Sequence, residues 1–267
     1  MSKAARLRNA VLELWREHAA SGMLPTSARF LFYELVAREI IPKHSTGVRR
    51  ADQDPGDALT WLREKGLIPW KDIVDETRSL DDYSGYPSIR DAAIDVLEQL
   101  HIDPWKGSWP IILTESRSLA GVLRSQAASY GVQIASLNGQ CGGFLHTDVA
   151  PRLTEGQRVL YLGDLDFSGA HIEMNARRVL EELAGDLEWE RLALTQEQAT
   201  RHGLTPISKY DGRDKKHHDA IETEALNQAV IVEILRSRLD ELIPQSLETV
   251  QEREKRQRKL LRNLLAR

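Results

Sequence analysis

The chain has 267 residues, of which 41% are hydrophobic and 28% charged, and its formal net charge is −4. This is ordinary for a soluble globular protein and allows one large or two small domains. The acidic balance argues against a non-specific nucleic-acid coat protein but not against a nuclease, in which an acidic site and a local basic surface coexist. No apolar stretch approaches the length of a membrane span, and the opening MSKAARLRNAVLELW reads as an amphipathic helix rather than a signal peptide. A single cysteine, Cys141, excludes an internal disulfide framework and fits a reducing compartment. The expectation is a cytoplasmic protein without a membrane partner.

In chain order, Leu7, Val11, Leu12, Leu14 and Trp15 fall at helical spacing over residues 2–20. Pro25-Thr26-Ser27 then supplies a turn and a cap for a helix over 28–40. A third helix over 56–65 is stopped by Gly66, and 67–74 reads as extended. Helix, helix, helix, short extended piece is the order of a winged-helix module, which would occupy residues 1–80. The plainer alternative is a small helical cap with no DNA contact. Residues 75–88 read as a loop and 89–100 as a helix, so 81–108 is taken as a linker.

From Trp109 the pattern becomes regular. Strands are expected at 110–115, 132–137, 157–163 and 188–194, with helices at 118–129 and 169–184 and a glycine-rich loop at 138–143. Strands alternating with helices predict an α/β fold with a parallel sheet, in a second domain spanning 109–267. The last third reads as helical, over 195–202, 224–243 and 247–267.

The chemistry-bearing residues lie at strand ends. Glu115 closes the apolar run Trp109–Glu115, and Asp164-Leu165-Asp166 follows the run Arg158–Gly163. In an open parallel sheet, ligands bind at the carboxyl ends of the strands. Three carboxylates converging there would repel one another, so a hard cation is their natural partner. Mg²⁺ suits an all-oxygen, water-rich site, and the chemistry it best supports is attack on a phosphate. The competing reading is that Asp164 and Asp166 merely cap the next helix.

Glu115 after the first strand, a glycine-rich turn after the second and Asp164-x-Asp166-x-x-Gly169 after the third resemble the TOPRIM domain of topoisomerases, primases and some nucleases. The match spans roughly residues 109–195. It is similar above all to the variant in the topoisomerase VI A subunit, with Phe167 in place of the usual Pro and Glu115-Ser116-Arg117 in place of a Glu-Lys pair. The segment Thr26–Leu35 resembles the Ser-x-Arg-x-x-Tyr/Phe-Tyr segment of that subunit's winged helix, and Tyr33 falls on the tyrosine that attacks DNA. A core role for Tyr33 in an apolar helix remains the alternative, and related small nucleases use water. The segments Arg191–Gln198 and Ile221-Glu-Thr-Glu-Ala-Leu226 are together similar to bacterial and phage proteins with this domain pairing, in which an acidic segment follows the last strand. There Glu222 and Glu224 would be further ligands or a base; otherwise they form the acidic first turn of a helix.

The resemblance implies double-stranded DNA as partner, Mg²⁺ or Mn²⁺ as cofactor, a homodimer, and an ATPase or SMC-like partner subunit, since the chain has no P-loop of its own. Arg29, Arg117, Lys215 and Lys216 are the candidate DNA contacts, with Lys209–His218 read as a loop that either meets phosphates or is merely solvated. The basic tail 252–262 either tracks a DNA backbone or packs through Leu260, Leu261, Leu264 and Leu265. The expected function is metal-dependent DNA cleavage. The alternatives are a non-catalytic DNA-binding or assembly subunit, and a phosphatase with Asp164 as nucleophile.

Overall fold

The protein is described here from a computed structural model covering residues 2–43, 50–74, 84–139, 141–211 and 215–265. Helix α1 (Lys3–Ala20) opens at Ser2, whose hydroxyl accepts the Ala5 N–H at 3.2 Å. Helix α2 (Ala28–Ala37) opens at Ser27, which accepts the Phe30 N–H at 3.2 Å. Such capping satisfies one of the orphan donors of a first turn. Helix α3 (Gln53–Glu64) completes the group. Leu7, Val11 and Leu14 of α1, Leu31 and Leu35 of α2, and Leu59 and Leu62 of α3 form one buried apolar cluster.

Helix α2 ends at Ala37, not at Ile40, and Glu39 takes a positive φ of 57° just beyond it. The stretch 67–74 is not extended throughout. Trp70–Asp72 forms a single 3₁₀ turn, and the strand-like contact is the parallel bridge Thr26↔Ile73. The end of the expected winged-helix module at 75–80, where the sequence reads as a loop, and the start of the expected linker at 81–83 lie outside the described residues. Helix α4 (Ile89–Gln99) follows, opened by Ser88.

The sheet is built from β1 (Ile111–Thr114), β2 (Gln133–Ser136), β3 (Arg158–Leu162) and β4 (Glu188–Ala193), all parallel, in the order β2-β1-β3-β4. Every residue of β1 is buried, and so is all of β3 but Arg158. This is why both read as continuous apolar runs: a parallel strand covered on two faces has no polar side to alternate with. Between β1 and β2 runs α5 (Arg117–Tyr130), closed by Gly131 in the left-handed region at φ 64°. After β2 comes a single turn, α6 (Gly142–Phe144), and an irregular helical stretch to Arg152. Helix α7 (Phe167–Ala184) joins β3 to β4.

The two faces of the sheet bury different clusters. Ile112, Leu160 and Leu162 pack with α5 and with α9 (Gln228–Leu242), whereas Ile111, Leu113, Val159 and Tyr161 pack with the 145–153 stretch and α7. Phe30 of α2 is fully buried in the first cluster, so α2 serves the helical group on one side and the sheet on the other. A polar clasp reinforces this join. Thr26 Oγ1 donates to Gln228 Oε1 at 2.6 Å, and Gln228 Nε2 donates to the Met23 carbonyl at 2.7 Å.

The last third is not wholly helical. After α8 (Gln196–Arg201), β5 (Ile207–Asp211) and β6 (Lys216–Ala220) pair antiparallel as a hairpin, so the basic stretch Lys209–His218 is not a loop apart from its turn. Residues 212–214 of that turn lie outside the described residues. The helix expected from Glu224 begins at Gln228, where Asn227 Oδ1 accepts the Ala229 N–H at 2.8 Å. Thr223–Ala225 is instead a 3₁₀ turn. Helix α10 (Leu247–Leu265) leans on α4 and leaves Leu260, Leu261 and Leu264 exposed. Among the described residues, no helix is long and apolar enough to cross a membrane.

Candidate active site at the carboxyl edge of the sheet

The strand order places β2 on one side of β1 and β3 on the other, so the chain reverses its direction of winding between β1 and β3. The crevice outside the carboxyl ends at such a reversal is where open α/β sheets bind ligands. Glu115 and Asp164 both lie there. The Glu115 N–H donates to the Leu162 carbonyl at 2.9 Å, and Glu115 Oε2 accepts the Asp164 N–H at 2.9 Å. Gly169 makes this approach possible: a Cβ there would stand 2.5 Å from the Asp164 carbonyl oxygen and 3.1 Å from Glu115 Oε2.

Asp164 is held from the far end of the chain. Its Oδ1 accepts the Thr223 N–H at 2.8 Å and the Thr223 hydroxyl at 3.0 Å. The backbone bridge Leu165↔Ile221 brings that segment alongside, through N–H···O bonds of 2.9 and 3.0 Å. The same turn delivers Glu222 and Glu224. The Glu224 side chain is fully buried, and its Oε1 accepts the hydroxyls of Ser116 and Ser118 at 2.7 Å each. Its Oε2 is buried with no hydrogen-bond partner. Glu224 therefore points inward to the site instead of forming an exposed acidic first turn.

Asp166 has a different environment. Its Oδ1 caps α7 by accepting the Gly169 N–H at 2.6 Å, and its Oδ2 pairs with Lys209 Nζ of β5 at 2.8 Å. The helix-cap reading holds for Asp166, and both of its oxygens are engaged.

Two basic residues flank the carboxylates. Lys209 is one. Arg29, from the first turn of α2, is the other: Nη2 lies 2.7 Å from Glu222 Oε2 and Nε 3.3 Å from Glu224 Oε1. The guanidinium thus faces the acidic edge rather than open surface. Burial disfavours its charge, but Glu224, Glu222 and Asp164 outweigh this and leave its pKa raised.

The carboxylates remain undercompensated. Burial, followed by the charge of Asp164, pushes the Glu115 carboxyl up to about 7, against the opposing pull of the Asp164 N–H. Burial and then Glu224 raise Asp164, against the Thr223 N–H and Arg29. Burial raises Glu222 as well. Buried carboxylates raised by desolvation and by one another, at the mouth of a sheet, are candidates for a functional site.

The loop carrying Asp164 is stapled by Arg191 of β4. Its Nη2 donates to the carbonyls of Gly163 and Asp164 at 2.8 and 2.6 Å, its Nε donates to the Leu194 carbonyl at 2.9 Å, and its Nη1 pairs with Glu173 of α7. Nothing in the local sequence around Arg191 signals this. Thr223, Ser116 and Ser118 are likewise site residues that sequence reasoning does not single out, and Lys209 enters it only as the first residue of the basic stretch Lys209–His218.

The remaining sequence candidates are Arg117, Lys215, Lys216 and Tyr33. Arg117 is exposed at the start of α5, and Lys215 and Lys216 are exposed on the hairpin. Tyr33 is 9% exposed on α2, with the Lys43 ammonium 5.5 Å from its ring centre. It lines a groove of about 740 Å³ together with Phe32, Lys43, Arg50, Arg29 and Glu222. Arg29 and Glu222 therefore belong both to the groove wall and to the carboxylate edge.

Among the described residues, no three His, Cys, Asp or Glu side chains are grouped so as to hold a metal ion as they stand. The donor chemistry nevertheless fits a hard cation. Glu115 and Asp164 are neighbouring oxygen donors whose charge is disfavoured by burial and by the carboxylates beside them, and Glu224 Oε2 is unpartnered. Asp166 fits only if Lys209 releases Oδ2.

In comparisons with protein-family models, with curated proteins and with solved structures, nothing matches the chain.

Proposed function

We propose that the chain cleaves DNA phosphodiester bonds with a divalent cation, Mg²⁺ or Mn²⁺, held at the carboxyl edge by Glu115 and Asp164 and, on loading, Asp166. The observation that carries this reading is the adjacency of Glu115 and Asp164 at the winding reversal, with the Glu115 pKa pushed up to about 7. When bound, the cation supplies positive charge that polarises a phosphoryl oxygen. Glu222 and Glu224 stand behind it as further ligands or a proton acceptor. Arg191 and Thr223 hold Asp164 in register. The α1–α3 group acts as a winged-helix-like DNA-positioning module on a TOPRIM-like sheet, with Arg117, Lys215 and Lys216 meeting phosphates while Arg29 stays paired with Glu222 and Glu224. Exposed Leu260, Leu261 and Leu264 on α10 offer a contact for a homodimer, and an ATPase or SMC-like subunit would supply any ATP-driven step.

A second reading, a non-catalytic DNA-binding or assembly subunit, is favoured by one observation: both oxygens of Asp166 are already engaged by Gly169 and Lys209. Failure of the purified protein to bind Mn²⁺ would decide for it.

The assay is incubation with supercoiled plasmid and Mg²⁺ or Mn²⁺, run on gels with and without protease treatment. Nicked or linear DNA is expected without any need for protease. Tyr33→Phe keeps the ring buried and removes only the hydroxyl, at a cost of about 0.5–1.5 kcal/mol if one hydrogen bond is lost. Cleavage is expected to survive, since water serves as nucleophile. DNA released only by protease, together with an inactive Tyr33→Phe protein, would make Tyr33 the nucleophile instead.

A further inference from the structure

The hairpin β5–β6 has two unlike faces. Side chains alternate along a strand, and the pairing Lys209↔His218 and Tyr210↔His217 sorts them. Tyr210 and His217 share one face and are exposed. Lys209 and His218 share the other, which packs on the start of α7. There the His218 ring stacks on Phe167, with centroids 4.4 Å apart and planes 5° from parallel. With the Leu165↔Ile221 bridge at the base of β6, this makes the hairpin a fixed arm. It delivers the Lys209 ammonium to Asp166 Oδ2, 2.8 Å away, while leaving the side chain 48% exposed. The same ammonium favours the charged form of Glu115. By contrast, Arg117, the basic residue nearest to Glu115 in sequence, is exposed at the start of α5.

Resting on the cleavage reading above, we propose that Lys209 is a catalytic residue that binds a non-bridging oxygen of the scissile phosphate, exchanging to it from Asp166 when the site is loaded with a divalent cation. Asp166 cannot serve an ammonium and a divalent cation on Oδ2 at once. The two positive charges repel, and the half-exposed lysine is the mobile one. Its stem, rooted in the anchored hairpin, keeps the released ammonium at the mouth of the site, where the phosphate must lie. In the hydrolysis, water oxygen forms the new P–O bond, the bond to the leaving ribose oxygen breaks, the proton of the attacking water passes to a carboxylate, and the leaving oxygen takes up a proton from bulk water. Lys209 transfers no proton. It neutralises charge that grows on the phosphoryl oxygens.

The test compares the full chain with Lys209→Met and Lys209→Arg in three measurements. Mn²⁺ binding, read by paramagnetic resonance of the free ion, is expected to tighten about fivefold in Lys209→Met, because a competing ion pair is gone. Binding of a labelled DNA duplex in Ca²⁺, read by anisotropy, is expected to weaken severalfold in Lys209→Met and to recover in Lys209→Arg. Plasmid cleavage by Lys209→Met is expected to fall about 100-fold in kcat, with KM rising no more than the severalfold lost in duplex binding. A lysine that only braces the hairpin would lower the melting temperature and leave Mn²⁺ affinity unchanged or weaker. That result, or unaltered duplex binding, overturns the proposal. If the parent protein cuts no plasmid while the first two measurements come out as expected, the cleavage reading falls and the exchange of Lys209 between Asp166 and phosphate stands.

Discussion

Arg29→Met is expected to destabilise the protein by about 3 kcal/mol, the low end for removing one partner of a buried ion pair. The low end applies because the guanidinium is 38% exposed, although its partner Glu224 is fully buried. Without Arg29, Glu222, Glu224 and Asp164 lose a nearby cation, and Glu224 Oε2 already lacks a partner. Adding Glu224→Gln should recover part of the loss, since the uncompensated charge is then removed from the interior. Urea unfolding of the two variants and the parent measures this. Equal midpoints for Arg29→Met and the parent would show that Arg29 is not the counter-ion of the acidic edge.

Glu115→Gln is expected to have opposite effects on stability and on function. The folded-state pKa of about 7 lies above the ordinary 4.5, so the native state holds the proton more tightly than the unfolded chain. Its contribution to stability is intact below pH 4.5 and is lost as pH rises to 7. A shift of this size corresponds to about 3 kcal/mol, or roughly 2 after allowing for partial solvent screening. Gln carries no charge, and its carbonyl oxygen can still accept the Asp164 N–H. At pH 8 in EDTA the variant should therefore melt about 4–6 °C above the parent. Near pH 4 the two should melt together. Mg²⁺ should raise the melting temperature of the parent at pH 8 and leave the variant unchanged. A variant that melts below the parent at pH 8 would contradict the charge crowding on which the site rests.

The parts of this arrangement that the sequence makes legible are those encoded locally. β1 and β3 announce themselves as unbroken apolar runs because both faces of each strand are covered, and Glu115 and Asp164 follow directly at their ends. Ser2 and Ser27 open their helices as the cap rule predicts. The hairpin is hidden because its alternation is written in lysine, histidine, tyrosine and aspartate, so Lys209-Tyr210-Asp211 looks like a solvated stretch. The inner face is apolar only at Ile207 and Ala220. The pairing of Arg29 with Glu222 spans 193 residues and that of Lys209 with Asp166 spans 43. No local pattern distinguishes a basic residue that meets DNA from one that meets a carboxylate so far along the chain. Asp166 shows the same limit: Asp-x-Asp is as good a cap as a ligand pair, and the first aspartate joins Glu115 while the second caps α7.

The most direct measurement is the rate at which the protein converts supercoiled plasmid to nicked or linear DNA in Mg²⁺, set against Asp164→Ala and against the parent in EDTA. Asp164 contributes hydrogen bonds to Thr223 but little apolar packing, so the variant should fold, with a circular dichroism spectrum like the parent's. The account predicts cleavage by the parent in Mg²⁺, and none by the parent in EDTA or by folded Asp164→Ala in Mg²⁺. A folded Asp164→Ala protein that cuts plasmid as fast as the parent would contradict it.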